Sequence, residues 1–185
     1  MDSKILLEEN PIIAAVKNEE ELKRALNSDV QVIFVLFGDI LNIKEISEKI
    51  SNVDKVGIVH IDLIEGITNR EIVMKYLKKE TYFKGVISTK SQVVKYAKAH
   101  DLLAIQRVFI FDTISLNNAI KHLGTECDAI EVLPGVIPKV IHKLSEKLGK
   151  PIVAGGLIES KEEVIMALKS GATCVSTTKE EIWAM

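Results

Sequence analysis

The sequence predicts an α/β protein, a compact single-domain (β/α)8 barrel. Eight short apolar runs alternate with helix-like stretches along the chain, and each run breaks off into a small polar or glycine cluster. The runs end at Val16-Lys17, Gly38-Asp39, His60-Ile61-Asp62, Ser88-Thr89-Lys90, Gln106-Arg107, Glu131, Gly155-Gly156 and Ser176-Thr177-Thr178. Strands alternating with helices argue for a parallel sheet. Eight units favour closure of that sheet, because an open doubly wound sheet needs only about five or six. The 185 residues allow about 23 per unit, enough for a short strand, a three-turn helix and two brief loops.

In chain order, strands are predicted at Ile12–Val16, Val32–Phe37, Val56–Ile61, Gly85–Ile87, Leu103–Gln106, Ala129–Leu133, Pro151–Ala154 and Thr173–Val175. Most are too apolar for clean alternation, as expected of parallel strands buried on both faces. The stretches between them carry helix-start chemistry: Asn18 with Glu21, Thr68 with Glu71, Thr89 with Gln92, Ser160 with Glu163 and Thr178 with Glu181 have capping-box spacing. Gly124, Gly149 and Gly171 stand where helices should stop. The last unit is the weakest, since only Glu180 to Met185 remains to cover it. With four Pro, ten scattered Gly and no low-complexity tract, nothing reads as a linker, so residues 1–185 are read as one (β/α)8-type domain.

Composition narrows the setting. An apolar share of 47% supplies a core and a charged share of 27% a wetted surface. The first ten residues carry Asp2, Glu8 and Glu9 and too little apolar length for a signal peptide. No window has the length of a membrane helix. Cys127 and Cys174 lack metal or redox spacing, and Cys174, inside a predicted strand, reads as a buried free thiol. A cytoplasmic protein is expected.

In parallel barrels the ligand site lies at the carboxyl ends of the strands, often with phosphate on the loops after strands seven and eight. Here those strands end in Gly155-Gly156, where missing side chains let an anion approach the backbone, and in Ser176-Thr177-Thr178, hydroxyls leading into a helix. A plain turn and an ordinary cap would give the same residues. His60 and Asp62 stand two apart at the third strand end and so share a face. They suit a general base, a metal pair or a grip on hydroxyls, or a structural histidine beside a loop-bracing carboxylate. Glu131 is the odd residue in an apolar strand; a buried carboxylate needs a partner, and Lys90 and Arg107 are the natural ones. That group reads either as a salt bridge closing the mouth or as a grip on an anionic polyhydroxy ligand. Asp39, Asp62, Asp112 and Glu131 together have the oxygen chemistry of a magnesium site, but Asp112 precedes a helix it can cap, and neither metal nor cofactor is expected.

The net charge of −2 argues against a general nucleic-acid binder, but its distribution is uneven. Lys75, Lys78, Lys79, Lys84, Lys90, Lys95 and Lys98 fall in a stretch with one acid, Glu80, a local +6 that leaves −8 elsewhere. Tyr76, Tyr82, Phe83 and Tyr96 lie among them, a mixture that suits single-stranded RNA through phosphate pairing and base stacking. Lys139, Lys143 and Lys147 form a second basic stripe. Acidic clusters at Glu19 to Glu21, Glu162-Glu163 and Glu180-Glu181 imply an opposite, acidic flank. That flank is either solvated or turned to a partner subunit, so a homo-oligomer is one reading of it.

Taken together, His60-Ile61-Asp62-Leu63-Ile64-Glu65-Gly66, Gly85-Val86-Ile87-Ser88-Thr89-Lys90, Ala104-Ile105-Gln106-Arg107, Glu131-Val132-Leu133-Pro134-Gly135 and Ala154-Gly155-Gly156 resemble the glycerol-3-phosphate-responsive antiterminator family. The resemblance runs from about Pro11 to Trp183. It implies a TIM-like barrel without established catalysis, in a bacterial cytosolic regulator of glycerol uptake genes. Such a protein senses glycerol 3-phosphate and acts on leader mRNA to prevent early termination. Carried onto this chain, Gly155, Gly156, Ser176 and Thr177 would hold the phosphate, and His60, Asp62, Lys90, Arg107 and Glu131 the rest of the ligand. Lys75, Lys78, Lys79, Lys84, Lys95 and Lys98 are the candidates for RNA. The rival readings are an enzyme acting on a small phosphorylated triose or a phosphodiester, with Asp62 and Glu131 as acid, base or metal ligands, and a barrel that serves only as a partner-binding scaffold.

Overall fold

A computed structural model describes residues 3–123 and 126–185; the helix stop expected at Gly124 lies outside them. The apolar runs form β1 (Ile12–Val16), β2 (Val32–Val35), β3 (Val56–His60), β4 (Gly85–Ser88), β5 (Leu103–Phe109), β6 (Ala129–Leu133), β7 (Ile152–Gly155) and β8 (Cys174–Thr177). Each strand pairs in parallel with its sequence neighbours, and Ile12 of β1 stands opposite Val175 of β8, which closes the barrel. The main departure from expectation is β5, which continues three residues past Gln106. Arg107, Val108 and Phe109 stay paired with Glu131, Val132 and Leu133 of β6, so a polar pair that reads as a strand end lies inside the strand.

The helices are α1 (Ser3–Glu9), α2 (Glu19–Leu26), α3 (Ile43–Ser51), α4 (Glu71–Glu80), α5 (Ser91–Ala99), α6 (Thr113–His122), α7 (Pro138–Leu148), α8 (Lys161–Lys169) and α9 (Glu180–Trp183). Asn18 and Ser160 cap α2 and α8 as expected, each accepting from the backbone N–H of the glutamate three residues on. The other three boxes do not form. Helices α4, α5 and α9 begin after Arg70, Lys90 and Lys179, none of which makes a side-chain cap bond, and the Thr89 hydroxyl is given to Asp62 instead. Gly149 ends α7 in the left-handed region at φ +58, the conformation a helix C-cap favours glycine for. The short α9 is anchored by buried Trp183, whose indole N–H donates to the Thr177 carbonyl at 2.9 Å.

Side chains alternate in and out along each strand. Ile13, Ala15, Val32, Phe34, Ile58, Ile87, Ile105, Ala129, Val153 and Cys174 fill the barrel, while Ile33, Val35, Val59, Val86, Ile130, Val132 and Val175 pack outward against helical Leu22, Ile46, Met74, Leu77, Leu144 and Val164. The helix α1, which no strand-helix rhythm announces, plugs the N-terminal end of the barrel, with Leu7 fully buried among the interior residues. Both cysteines are buried and free, and burial raises the Cys174 thiol pKa, with Glu131 adding to the shift. Among the described residues no helix is long and apolar enough to cross a membrane.

Leu7→Ala removes the plug's interior anchor. Urea denaturation should show a loss of about 2–5 kcal/mol, the usual cost of truncating a fully buried leucine; a loss within error would mean that α1 does not support the barrel.

Candidate ligand site at the barrel mouth

One step of two residues beyond the apolar filling brings the inward-facing register to a polar layer. His60 follows Ile58, Arg107 follows Ile105, Glu131 follows Ala129, Gly155 follows Val153 and Ser176 follows Cys174. The centre of the layer is Glu131, whose side chain is 1% exposed. Arg107 stands opposite it in the β5–β6 register and donates from Nε to Oε2 at 2.6 Å, while the Ser176 hydroxyl donates to Oε1 at 2.8 Å. Of the two partners expected for Glu131, Arg107 is the one. Lys90 is exposed and pairs with no acid among the described residues. Gly155 makes this arrangement possible: a Cβ there would stand 2.7 Å from both Glu131 Oε1 and Ser176 Oγ, inside any allowed contact.

His60 is 2% exposed, and its Nδ1 is buried without a hydrogen-bond partner. Burial and the nearby Arg107 charge lower its pKa to about 4, against a smaller opposing pull from Asp62, so the imidazole is neutral at pH 7. The shared strand face expected for His60 and Asp62 does not form. The strand ends at His60, and Ile61–Leu63 coil into a 3-10 turn, so the two-residue period stops there. Asp62 instead clamps the end of β4, accepting from Ser88 Oγ (2.7 Å), the Thr89 amide (2.7 Å) and Thr89 Oγ1 (2.8 Å). Burial would raise its pKa, but those bonds outweigh burial and hold it below the usual carboxylate range. Buried Gln106 reinforces the same corner, donating to the carbonyls of Thr89 and Ser88 at 2.9 and 3.2 Å. Sequence reasoning assigned no role to Ser88 or Gln106 and read Thr89 as a helix cap. The signal was available in two hydroxyls and an amide at adjoining strand ends.

Between the β7–α8 and β8–α9 loops lies a cavity of about 270 Å³, lined in part by Arg107, Glu131, Gly156, Leu157, Ser176 and Lys179. Gly156 at φ +75 and Leu157 at φ +62 are consecutive left-handed residues that form its wall. For Leu157 that conformation costs about 1–2 kcal/mol. Thr177 borders the cavity, but its hydroxyl is committed: it donates to the Ile158 carbonyl at 2.8 Å and accepts from the Lys179 amide at 3.1 Å, tying the two loops together. Lys179, which sequence reasoning passed over, pairs with Glu159 at 3.4 Å.

The four carboxylates weighed as a metal set are dispersed. Asp39 accepts from the Leu41 and Asn42 amides, and Asp112 forms a capping box with Ser115. Among the described residues no three His, Cys, Asp or Glu come together as metal ligands. The lysines considered for RNA lie elsewhere: Lys75, Lys78 and Lys79 on α4, Lys95 and Lys98 on α5, and Lys84 in the loop before β4. Helices here run opposite to the strands. Their acidic first turns (Glu19 to Glu21, Glu162, Glu163, Glu180, Glu181) therefore sit toward the mouth, and their basic last turns (Lys78, Lys79, Lys98, Lys121, Lys147) toward the plugged end. The two signs separate along the barrel axis, not only around it.

Fold and site together define a TIM-type barrel with a polar, partly buried pocket at the C-terminal ends of its strands. The chain belongs to the glycerol-3-phosphate responsive antiterminator family, whose model matches residues 12–183, and it is accordingly a regulatory protein. It is 41% identical over 181 residues to the uncharacterized protein YgcP of Escherichia coli (strain K12), covering 97% of this chain and 95% of that one. Among solved structures it is similar to a glycerol uptake operon antiterminator regulatory protein from Listeria monocytogenes (33% identity, TM-score 0.87, 93% and 94% of the two chains). A glycerol uptake operon antiterminator-related protein from Thermotoga maritima is also similar (28% identity, TM-score 0.83, 95% and 99%).

Arg107→Ala leaves Glu131 buried without its cation and should cost about 3–5 kcal/mol in chemical denaturation; a cost below about 1 kcal/mol would show that water already solvates the pair. His60 makes a separate, pH-dependent contribution. Its folded pKa of about 4 lies below the ordinary histidine value of 6.5, so between these values the unfolded chain binds the extra proton. The His60 contribution is intact above pH 6.5 and is lost progressively down to about pH 4, on the order of 3 kcal/mol in all. The imidazole resonances of His60 should not titrate until the pH approaches 4, and His60→Gln should flatten this part of the acid-stability profile.

Proposed function

We propose that this regulator binds glycerol 3-phosphate at the barrel mouth and, so liganded, binds leader mRNA and prevents early transcription termination of glycerol-utilisation genes in the cytoplasm. The observation that carries the ligand reading is the cavity of about 270 Å³, where a guanidinium, a carboxylate, a serine hydroxyl and a glycine turn converge. In this reading Arg107, Lys179 and the Gly155-Gly156 turn receive the phosphate, while Ser176 and Thr177, whose hydroxyls are given to Glu131 and to the Ile158 carbonyl, hold the carboxylate and the two loops in place. Glu131 accepts from a ligand hydroxyl. His60, neutral and buried, does not line that cavity, so in this reading it adds no second cation beside Arg107 and touches no part of the anion. Asp62 acts by positioning, since both its oxygens already brace β4; Lys90 stands at the outer edge. The RNA reading rests on family membership and on the lysines of α4 and α5.

A triose-phosphate or phosphodiester enzyme built on Asp62 and Glu131 has less support. Each carboxylate is already held by two or more donors, which leaves neither poised as a base.

Calorimetry tests the ligand. Glycerol 3-phosphate should bind the wild type, and glycerol should bind far more weakly. Lys179→Ala should weaken binding about tenfold, the usual loss for a hydrogen bond to a charged group. RNA affinity should rise with glycerol 3-phosphate present, and ligand affinity should rise by the same factor with RNA present. No heat with the wild type, or equal RNA affinity with and without ligand, overturns the reading.

A further inference from the structure

A second and larger cavity, of about 660 Å³, opens at the opposite, N-terminal end of the barrel. Leu6 of α1, Phe83, Leu102 and Leu103 give it an apolar floor, and Lys78, Lys84 and Lys98 stand around it with Asp101 and Asp128. Lysines in the last turn of a helix are ordinary, because they complement the negative end of its dipole; that accounts for Lys78 and Lys98. It does not account for Lys84, which lies in the loop between α4 and β4, is exposed, and pairs with no acid among the described residues. Among the described residues Lys78 reaches a backbone carbonyl, that of Asp101, at 2.9 Å, and no acid. Lys98 pairs with Asp128 at 3.0 Å, a half-exposed pair of the kind worth at most about 1 kcal/mol and easily exchanged for a phosphate.

We infer that this cavity takes one nucleotide of a single-stranded RNA, the base on the apolar floor and the flanking phosphates on Lys84, Lys78 and Lys98. This rests on the reading that the protein binds RNA. The volume falls within the range of about 300–1,000 Å³ typical of small-ligand pockets. A floor of Leu6, Phe83 and Leu103 can be reached by an unstacked base and not by a paired one. Beyond the cavity, Lys75 and Lys79 extend the cationic surface past one nucleotide, with exposed Tyr82 beside them, as a strand requires and a free nucleotide does not. One strand also joins the two sites: Leu103 in the floor and Arg107 in the mouth are four residues apart on β5, roughly 13 Å at the rise of a β-strand.

The test uses the full chain and RNA enriched from a random single-stranded pool by retention on the wild type with glycerol 3-phosphate present. Lys84→Glu should weaken binding of that RNA at least about tenfold and lower the slope of affinity against salt by about one. It should leave the melting temperature and the calorimetric binding of glycerol 3-phosphate unchanged. Lys139→Glu, at the opposite end of the barrel, should change none of these. The same sequence annealed into a duplex should not compete. If the wild type retains RNA but Lys84→Glu and the double variant Lys78→Ala/Lys98→Ala bind it normally, or the duplex competes equally, the cavity assignment is wrong while RNA binding stands. If no RNA is enriched on the wild type, both fall.

Discussion

The mouth of this barrel is organised around a buried negative charge. Glu131 sits on the central register of β6 with almost no access to water, where an unpaired carboxylate would be prohibitively costly. Its neighbours are set by that demand. Arg107 must stand directly across the β5–β6 ladder, which in turn requires β5 to remain a strand past Gln106. Ser176 must offer its hydroxyl from β8. Residue 155, between them on β7, can have no side chain at all. Arg107 also bears on His60: burial lowers the pKa of that imidazole most, and the fixed guanidinium beside it lowers it further. One ion pair therefore sets the occupants of four strands.

The same architecture gives the molecule two chemically different ends. Strands deliver their carboxyl ends, and helices their acidic first turns, to the mouth. The plugged end collects the helix C-termini with their lysines. Dipole complementarity explains most of this polarity without invoking any function, which is why the loop residue Lys84 carries more weight than the more numerous helical lysines. Under the function proposed above, placing a small anion at one end and an acidic polymer at the other keeps the two from competing for the same cations. Coupling between them then has to travel along the barrel wall.

Much of this was legible in the chain. The eight-fold rhythm gives the strand order, and parity along each apolar run puts Glu131, Gly155 and Ser176 in one layer once the barrel is closed. Where local reading failed, a long-range partner had taken the residue. Thr89 has the spacing of a helix cap, but Asp62, distant in sequence, claims its hydroxyl and its amide. Asp62 in turn has the spacing to share a face with His60, but a 3-10 turn intervenes. Helix α1 was invisible because it is only seven residues long and precedes the first strand, and only the open end of a finished barrel gives Leu7 somewhere to be buried.

The sequence by itself determined the fold class, the family and the rim on which the polar residues gather, because periodicity and strand-end chemistry are local properties that survive without coordinates. Only the tertiary structure decided which cation neutralises Glu131 and why residue 155 is glycine. It also decided that Thr177 ties two loops together and that the lysine-rich segment frames a cavity at the far end of the barrel. Those facts depend on which side chains meet across the barrel, and closure of the sheet is what brings them together.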